Sequence, residues 1–294
     1  MMTCGEILAQ LRGVSKCFGQ TEALKGLDLE ICQGEVVALL GPNGAGKTTA
    51  ISILLGQRRP SRGEAWLFSQ DPCLPQARSQ IGATPQETGF PPNLTVGEVV
   101  ELVRSHYPKP LAICELLERF DLLNLKRRQT GGLSGGQKRR LAVALAFAGN
   151  PRVVFLDEPT TGLDVEARHG LWKAIRGYVQ QGGTVLLTTH YLEDAEALAT
   201  RVVVIDQGRL VATGSVEAIK AQVGLKRVRF RSAVLPELPG VVRVEKANGV
   251  CILYTADADA LVRRLVWQAV AFEEIEILPV SLDEAFLVLT GRAV

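Results

Sequence analysis

The sequence predicts an α/β fold whose core is a buried parallel sheet. Residues 36–40 (Val-Val-Ala-Leu-Leu) and 153–156 (Val-Val-Phe-Leu) are continuous apolar runs, which is typical of strands covered on both faces. A glycine-rich loop at residues 41–49 follows the first run, and two carboxylates follow the second. Open α/β sheets bind ligands at the carboxyl ends of their strands. We therefore expect a binding site at this edge of the sheet.

Composition limits the classes of protein to which the chain can belong. With 294 residues, of which 47% are hydrophobic, it can bury a large core and form one large domain and a small one. Its 33 Lys and Arg residues nearly balance its 31 Asp and Glu residues. The net charge therefore gives no support for a nucleic-acid partner.

Several absences in the sequence predict a cytoplasmic protein. The apolar stretches stop well short of the roughly 20 residues that span a bilayer, and the N-terminus lacks the basic and apolar regions of a signal peptide. The six cysteines show no C-x-x-C spacing, which predicts reduced thiols and no zinc site. If the protein functions at a membrane, we expect it to do so as a peripheral subunit.

The N-terminal segment is predicted to form a small antiparallel sheet that leads into the core strand. Residues 27–31 (Leu-Asp-Leu-Glu-Ile) alternate apolar and acidic side chains, as a half-exposed strand does. Phe18 lies beside a glycine at a turn. Its ring either stacks on a nucleotide base or anchors the loop in the core, and the pattern alone favours the core.

The glycine-rich loop matches the phosphate-loop pattern G-x-x-x-x-G-K-[ST] completely over residues 41–48. Glycines allow backbone N–H groups to bend around an anion. Lys47 would place a positive charge on the β- and γ-phosphates, and the Thr48 hydroxyl would face Mg²⁺. We therefore predict a nucleotide site formed by Gly41, Pro42, Asn43, Gly44, Ala45, Gly46, Lys47, Thr48 and Thr49.

The middle of the chain, about residues 88–150, is predicted to be a helical insertion. Apolar residues recur at helical spacing from residue 96 to residue 125. Residues 133–137 (Leu-Ser-Gly-Gly-Gln) then open an Ala- and Leu-rich helix. Their hydroxyl and N–H groups suit an anion, although in isolation they could serve only as a helix cap.

Three polar side chains are expected together at the carboxyl ends of two strands. Asp157 and Glu158 follow the second apolar run; Asp157 is suited to hold Mg²⁺ through water, and Glu158 to activate an attacking water. A later apolar strand at residues 184–189 delivers His190 to the same edge. There it would donate to a γ-phosphate oxygen, whereas His106 and His169 have no such placement.

In this order the motifs resemble those of the ATP-binding subunit of an ABC transporter. Residues 41–48 are similar to the family's Walker A loop, residues 133–137 to its signature motif, and residues 153–158 to its Walker B motif. The resemblance also identifies residues 161–164 as the D-loop. It covers about residues 8–220 and implies an ABC ATPase fold of the P-loop NTPase type.

The resemblance assigns roles to single residues. It makes Gln86 the Q-loop glutamine and His190 the switch histidine, and it places Phe18 where the family stacks an aromatic side chain on adenine. It implies ATP and Mg²⁺ as cofactors. Hydrolysis would be carried by Glu158, His190, Lys47 and Gln86, and Mg²⁺ would be held by Thr48, Gln86 and Asp157.

The resemblance further implies that two copies close head to tail. Each signature would then cap the ATP of the second molecule, through Ser134, Gly135, Gly136 and Gln137. Because both halves of the site match the family pattern in this chain, a homodimer with two working sites is expected.

A closer resemblance is to the ATPases of two-component drug and natural-product exporters of the daunorubicin-resistance type. Residues 86–92, 188–196 and 281–291 carry it. It implies transmembrane permease subunits on a separate chain and membrane contact only through them. The expected location is cytoplasmic, peripheral on the inner face of the cell membrane.

The last part of the chain is predicted to be a separate α/β domain. We expect the ATP-binding domain over residues 1–220 and a small accessory domain over residues 221–294, in which Asn248 and Gly249 form a hairpin turn. No chemistry is visible in this second part. Dimer support or regulation is the expected role.

Two alternative functions stay open on sequence grounds. A soluble ABC ATPase acting on ribosomes or DNA would carry either two ATPase domains or a long coiled coil between phosphate loop and signature. Lys47 and Ser134 are too close in the sequence for such a coiled coil, and no heptads separate them. An importer ATPase would share the chemistry and differ only in the direction of transport.

Overall fold

The computed structural model describes residues 5–84, 89–232, 235–236 and 238–292. The chain divides into two compact units, Met1–Thr213 and Gly214–Val294. The sequence-based boundary between residues 220 and 221, with its assignment of an ATP-binding and an accessory domain, stays a prediction.

The first unit alternates strands and helices after an initial pair of long strands. Its elements are β1 (Ile7–Phe18), β2 (Thr21–Cys32), β3 (Val36–Leu40), α1 (Lys47–Leu54), β4 (Arg62–Leu67), α2 (Pro75–Arg78), β5 (Ile81–Thr84), α3 (Val96–Arg104), α4 (Ile113–Arg119), α5 (Gly135–Ala146), β6 (Val153–Asp157), α6 (Val165–Gln180), β7 (Thr184–Thr188), α7 (Leu192–Leu198), β8 (Arg201–Asp206) and β9 (Arg209–Gly214).

A six-stranded sheet with the order β5-β6-β7-β3-β8-β9 forms the centre of this unit. The pairs β5–β6, β6–β7, β7–β3 and β3–β8 are parallel. Every residue of β3, β6 and β7 is buried, which confirms the apolar runs as central strands. Because these three strands are neighbours and run in the same direction, the segments that follow them lie side by side.

A three-stranded antiparallel sheet, with the order β2-β1-β4, covers one part of this core. It confirms the expected N-terminal sheet. Phe18 ends β1 at the turn into β2, and 41% of its surface is exposed. The interpretation of Phe18 as a core residue is therefore wrong.

The helical insertion contains α3, α4 and α5, as the apolar spacing predicts. Thr95 begins α3 with a capping box closed by Glu98, and Ser134 begins α5 in the same way with Gln137. Such reciprocal bonds satisfy two of the backbone N–H groups that a helix start leaves without partners. Phe147, just after α5, is fully buried and its ring centroid lies 4.9 Å from that of Tyr178.

The second unit is a small α/β sandwich. Its elements are α8 (Val216–Gln222), β10 (Lys226–Arg231), β11 (Val241–Ala247), β12 (Val250–Thr255), α9 (Ala258–Trp267), β13 (Glu273–Pro279) and α10 (Leu282–Leu289).

The sheet of this unit is antiparallel with the order β11-β12-β10-β13. Asn248 and Gly249 join β11 to β12 with φ of 50° and 78°, which confirms the predicted hairpin turn, since such a turn needs two residues with positive φ. One face of the sheet packs on α9 through a core that includes Phe230, Leu253 and Leu261.

The cysteines only partly match the expectation of reduced thiols. Cys17, Cys73, Cys114 and Cys251 are free. Cys32 is disulfide-bonded, so the expectation is wrong at that position.

One glycine of the central sheet is required by a close backbone contact. A Cβ on Gly82 in β5 would lie 1.6 Å from the carbonyl oxygen of Ala146 at the end of α5. We expect Gly82→Ala to lower the free energy of unfolding by about 3 kcal/mol, because strand and helix must separate. Urea denaturation of the full chain measures this change.

Gly177→Ala is the matched control. Gly177 lies inside α6, and a Cβ there would meet nothing within 4 Å. This variant should be neutral or more stable by up to about 1 kcal/mol, because alanine has the higher helix propensity. Equal stability of the Gly82→Ala variant and the unmodified chain would contradict the close contact.

Candidate functional site

The phosphate loop, residues 41–48, connects β3 to α1 at the carboxyl edge of the sheet. Two of its three glycines are required by close contacts: a Cβ on Gly41 would lie 2.4 Å from the carbonyl oxygen of Ile205, and one on Gly46 2.6 Å from Leu24 Cδ2. Gly46 also has φ of 105° and leaves the start of α1 without a side-chain cap. The N–H groups of the first turn are therefore available to an anion.

Lys47 is the first residue of α1, and its ammonium group folds back over the loop. Nζ donates to the carbonyl oxygens of Gly41 at 2.6 Å and Pro42 at 3.1 Å. Burial lowers the pKa of Lys47, while the charges of Glu158 and Asp157 raise it. Desolvation is the larger effect, and an anion bound in the loop would oppose it.

Asp157, the last residue of β6, is buried and joins two neighbouring strands to the phosphate loop. Its Oδ2 accepts a hydrogen bond of 3.2 Å from the Thr48 hydroxyl, and its Oδ1 accepts one from the Thr188 hydroxyl at the end of β7. A carboxylate oxygen and a threonine hydroxyl oxygen therefore meet beside the loop. Hard oxygen donors of this kind suit Mg²⁺.

Glu158 follows directly, in a left-handed backbone conformation with φ of 50°. Its N–H donates to both the carbonyl oxygen and the hydroxyl of Thr188, each at 3.1 Å. Its carboxylate oxygen Oε2 lies 3.3 Å from His190 Nδ1 and accepts a bond of 3.3 Å from the Thr161 hydroxyl. The structure thus brings Glu158 and His190 together, as their positions after β6 and β7 predict.

The signature, residues 133–137, lies at the start of α5. The Ser134 N–H donates to Gln137 Oε1 at 3.0 Å, and the Gln137 N–H donates to Ser134 Oγ at 3.2 Å. These two bonds confirm that Ser134 and Gln137 of the same chain cap the start of α5. Beside it lies the D-loop, residues 161–164, since a Cβ on Gly136 would be 3.6 Å from the carbonyl oxygen of Gly162.

Phe18 and Gln86 are the remaining predicted residues of the site. The exposed ring of Phe18 is near two cations, with Lys16 Nζ at 5.4 Å and Arg58 Cζ at 5.1 Å from the ring centroid. An exposed aromatic ring is compatible with base stacking, which stays a prediction. Gln86 lies outside the described residues.

Comparison with known proteins identifies the family. The chain matches the ABC transporter family over residues 24–161. It is 36% identical over 300 residues to the Nod factor export ATP-binding protein I of Cupriavidus pinatubonensis, covering 97% of this chain and 91% of that protein. This chain belongs to the ATP-binding subunits of ABC transporters.

Other relatives support the same assignment. The daunorubicin resistance ATP-binding protein DrrA2 of Streptomyces coeruleorubidus is 39% identical to this ATP-binding subunit over 301 residues, covering 95% of this chain and 94% of that protein. A dimeric cassette structure in a post-hydrolysis state, bound to ADP and Pi, superposes with a TM-score of 0.64 at 28% identity, covering 70% of this chain and 98% of that one. The predicted fold class and ATPase activity are confirmed.

No helix in the described part of this ATP-binding subunit is both long and apolar enough to cross a membrane.

Two buried charged residues at the site were missed by the sequence-based predictions. Arg139 on α5 donates through one guanidinium nitrogen to the carbonyl oxygens of Asp157 and of Glu158, the latter at 2.7 Å. Asp194 on α7 is the other. For Arg139 the sequence does offer a signal of burial. The apolar residues Ala142 and Val143 follow it by three and four positions and are buried, which places Arg139 on the inner face of its helix.

Asp194 joins three parts of the site and is fully buried. Its Oδ2 accepts hydrogen bonds from the hydroxyls of Thr160 at 2.5 Å and Thr189 at 2.7 Å, and its Oδ1 accepts one from Trp172 Nε1 at 2.9 Å. Thr189 precedes His190, and Thr160 precedes the D-loop. The carboxylate therefore ties the two segments to each other and to α6.

We expect Asp194→Ala to lower the free energy of unfolding by about 3 kcal/mol, because three buried donors lose their acceptor. Denaturation in urea measures it. Glu193→Ala is the control: Glu193 is exposed and pairs with Arg168 at 2.9 Å, a surface pair whose loss costs below about 1 kcal/mol. Equal effects of the two substitutions would contradict the role of Asp194.

Proposed function

We propose that this chain is the ATP-hydrolysing subunit of a membrane exporter whose transmembrane domain is a separate chain. One observation carries the catalytic part: Glu158 and His190 lie 3.3 Å apart beside the phosphate loop. The export part is supported by the names of the relatives, a Nod factor export protein and a daunorubicin resistance protein. The substrate would contact the membrane subunit, so its identity lies outside this chain.

The proposed reaction is in-line attack of water on the γ-phosphorus of ATP. Glu158 takes a proton from the water, the bond between the γ-phosphorus and its bridging oxygen breaks, and ADP and phosphate leave. Lys47 stabilises the negative charge that develops on the phosphate oxygens. In this reaction His190 would donate to the γ-phosphate and hold the Glu158 carboxylate in position.

Mg²⁺ fits the residues beside the loop. Thr48 and Asp157 would hold it, with Gln86 as the further predicted ligand, and it would neutralise charge on the phosphates. Among the described residues no group of three or more His, Cys, Asp or Glu side chains could hold a metal ion by itself. Binding shared between few protein oxygens and the phosphates of the nucleotide is the usual arrangement for Mg²⁺.

We further propose that two copies of the chain form an ATP-dependent homodimer on the cytoplasmic face of the membrane. The dimeric cassette bound to ADP and Pi supports this arrangement. Each signature would close the ATP site of the partner, and hydrolysis would release the two copies and move the attached permease subunits. For Gly214–Val294 we propose a role in dimer support or regulation.

Glu158→Gln tests the catalytic assignment. The amide cannot take the proton, so we expect the turnover number to fall by roughly 100-fold or more. ATP binding should persist, and a dimer trapped with ATP should appear in size-exclusion chromatography. Glu166→Gln is the control, because Glu166 is an exposed residue in the first turn of α6. Steady-state hydrolysis that is unchanged by Glu158→Gln would reject the assignment of Glu158.

Co-purification tests the transport assignment. We expect the full chain, purified from detergent extracts of its native cells, to carry with it a protein with several membrane spans. A partner with no membrane span would favour a soluble ABC ATPase instead.

Transport assays in inverted vesicles distinguish export from import. ATP-dependent uptake into the vesicle lumen indicates export, whereas loss from loaded vesicles indicates import.

A further inference from the structure

Arg139 is a buried cation that contacts the backbone of two successive residues, Asp157 and Glu158. Only 7% of its surface is exposed. One guanidinium nitrogen donates to the carbonyl oxygens of both Asp157 and Glu158. Burial lowers its pKa, while the nearby charges of Asp157 and Glu158 raise it. In the proposed function Asp157 holds the metal and Glu158 is the base. Arg139 therefore contacts both of these residues.

These bonds fix the direction in which the Glu158 side chain leaves the backbone. A left-handed conformation is uncommon for a residue other than glycine and persists only where its surroundings hold it. Thr188 holds the N–H of Glu158, and Arg139 holds its carbonyl oxygen. Both ends of the residue are therefore fixed by other segments, and the carboxylate is aimed by them.

Arg139 is also part of the helix that carries the signature. It lies five positions after Ser134, which caps α5, and this spacing corresponds to about 7.5 Å along a helix axis. A helix moves as one body over such a distance. A shift or tilt of the signature therefore displaces the guanidinium and, through it, the backbone at Glu158.

We propose that Arg139 is a positioning residue that transmits the position of the signature helix to Glu158 of the same chain. This inference rests on the proposed function, in which the signature binds the ATP of the partner and Glu158 acts on its own ATP. Arg139 then couples the two sites: a chain whose signature has closed on the partner's ATP holds its own base in the active orientation.

A purely structural role makes different predictions. If Arg139 only neutralises the carboxylates next to it, its loss reduces stability, and the remaining folded protein hydrolyses ATP at the normal rate. If it aims Glu158, the turnover number falls in protein that is fully folded. The Michaelis constant for ATP changes little, because the phosphate loop is intact.

Arg139→Gln is the first test. We expect the turnover number to fall between about 10-fold and 100-fold, the loss that a misplacement of roughly 1 Å can cause, with the Michaelis constant for ATP within about 3-fold of its normal value. Circular dichroism at the assay temperature verifies folding.

Arg140→Gln is the matched control. It removes the same charge from the next residue, which pairs instead with Asp121 at 2.7 Å. Its turnover number should stay within about 2-fold of that of the unmodified chain.

Arg139→Lys covers the case in which the glutamine variant does not fold. Lysine keeps the positive charge near the carboxylates but replaces the planar guanidinium with a shorter point donor. We expect a folded protein with a turnover number reduced by roughly 10-fold. Normal turnover in either Arg139 variant, or equal losses in the Arg139→Gln and Arg140→Gln variants, would overturn the proposal.

Mixed dimers test whether the effect stays within one chain. One copy carries Glu158→Gln, so that only the site with the intact Glu158 turns over. Arg139→Gln in the copy with intact Glu158 should reduce activity as in the homodimer. The same substitution in the Glu158→Gln copy should leave activity within about 3-fold. Equal losses for the two placements would overturn the coupling to Glu158 of the same chain.

The outcomes separate this inference from the proposed function. If the Glu158→Gln variant hydrolyses ATP normally, both the catalytic assignment of Glu158 and the inference about Arg139 are wrong. If Glu158→Gln is inactive and Arg139→Gln is normal, only the inference fails.

Discussion

The site depends on the parallel pairing of β6, β7 and β3. Because β7 lies between the other two strands, the hydroxyl of its last residue, Thr188, donates to the carboxylate of Asp157 and accepts a bond from the backbone N–H of Glu158. The same order places the phosphate loop after β3 and His190 after β7 at the same edge. Every residue of the three strands is buried and most of them are apolar, so moving a strand into solvent would lose a large apolar contact.

Local sequence patterns were sufficient for the parts of the site that are built by short segments. The phosphate loop, the strand that ends at Asp157 and the cap of α5 all follow from residues within a few positions of each other. The position of His190 was also predictable, because strand direction and order in such sheets follow simple rules. Phe18 shows the limit of this reasoning, since pattern alone favoured burial and the structure exposes the ring.

Arg139 and Asp194 were not predicted because their partners are distant in the sequence. Arg139 bonds to carbonyl oxygens 18 and 19 residues away, and Asp194 accepts a bond from Thr160 34 residues away. No local pattern gives a buried charge its partner, since that depends on how helices and strands pack. Both residues nevertheless occupy inner helix faces, so a charged side chain among buried apolar neighbours is the feature to look for in related sequences.

The two bonds from Lys47 to the carbonyl oxygens of Gly41 and Pro42 have a consequence for nucleotide exchange. They keep the curvature of the phosphate loop through contacts within the protein itself. A triphosphate therefore enters a preorganised cradle and spends little of its binding free energy on ordering the backbone. Because the two bonds lie within the protein, we expect the loop to keep its shape when ADP leaves. In the proposed dimer, the slow step of the cycle should then lie in separating the two copies and not in rebuilding the loop.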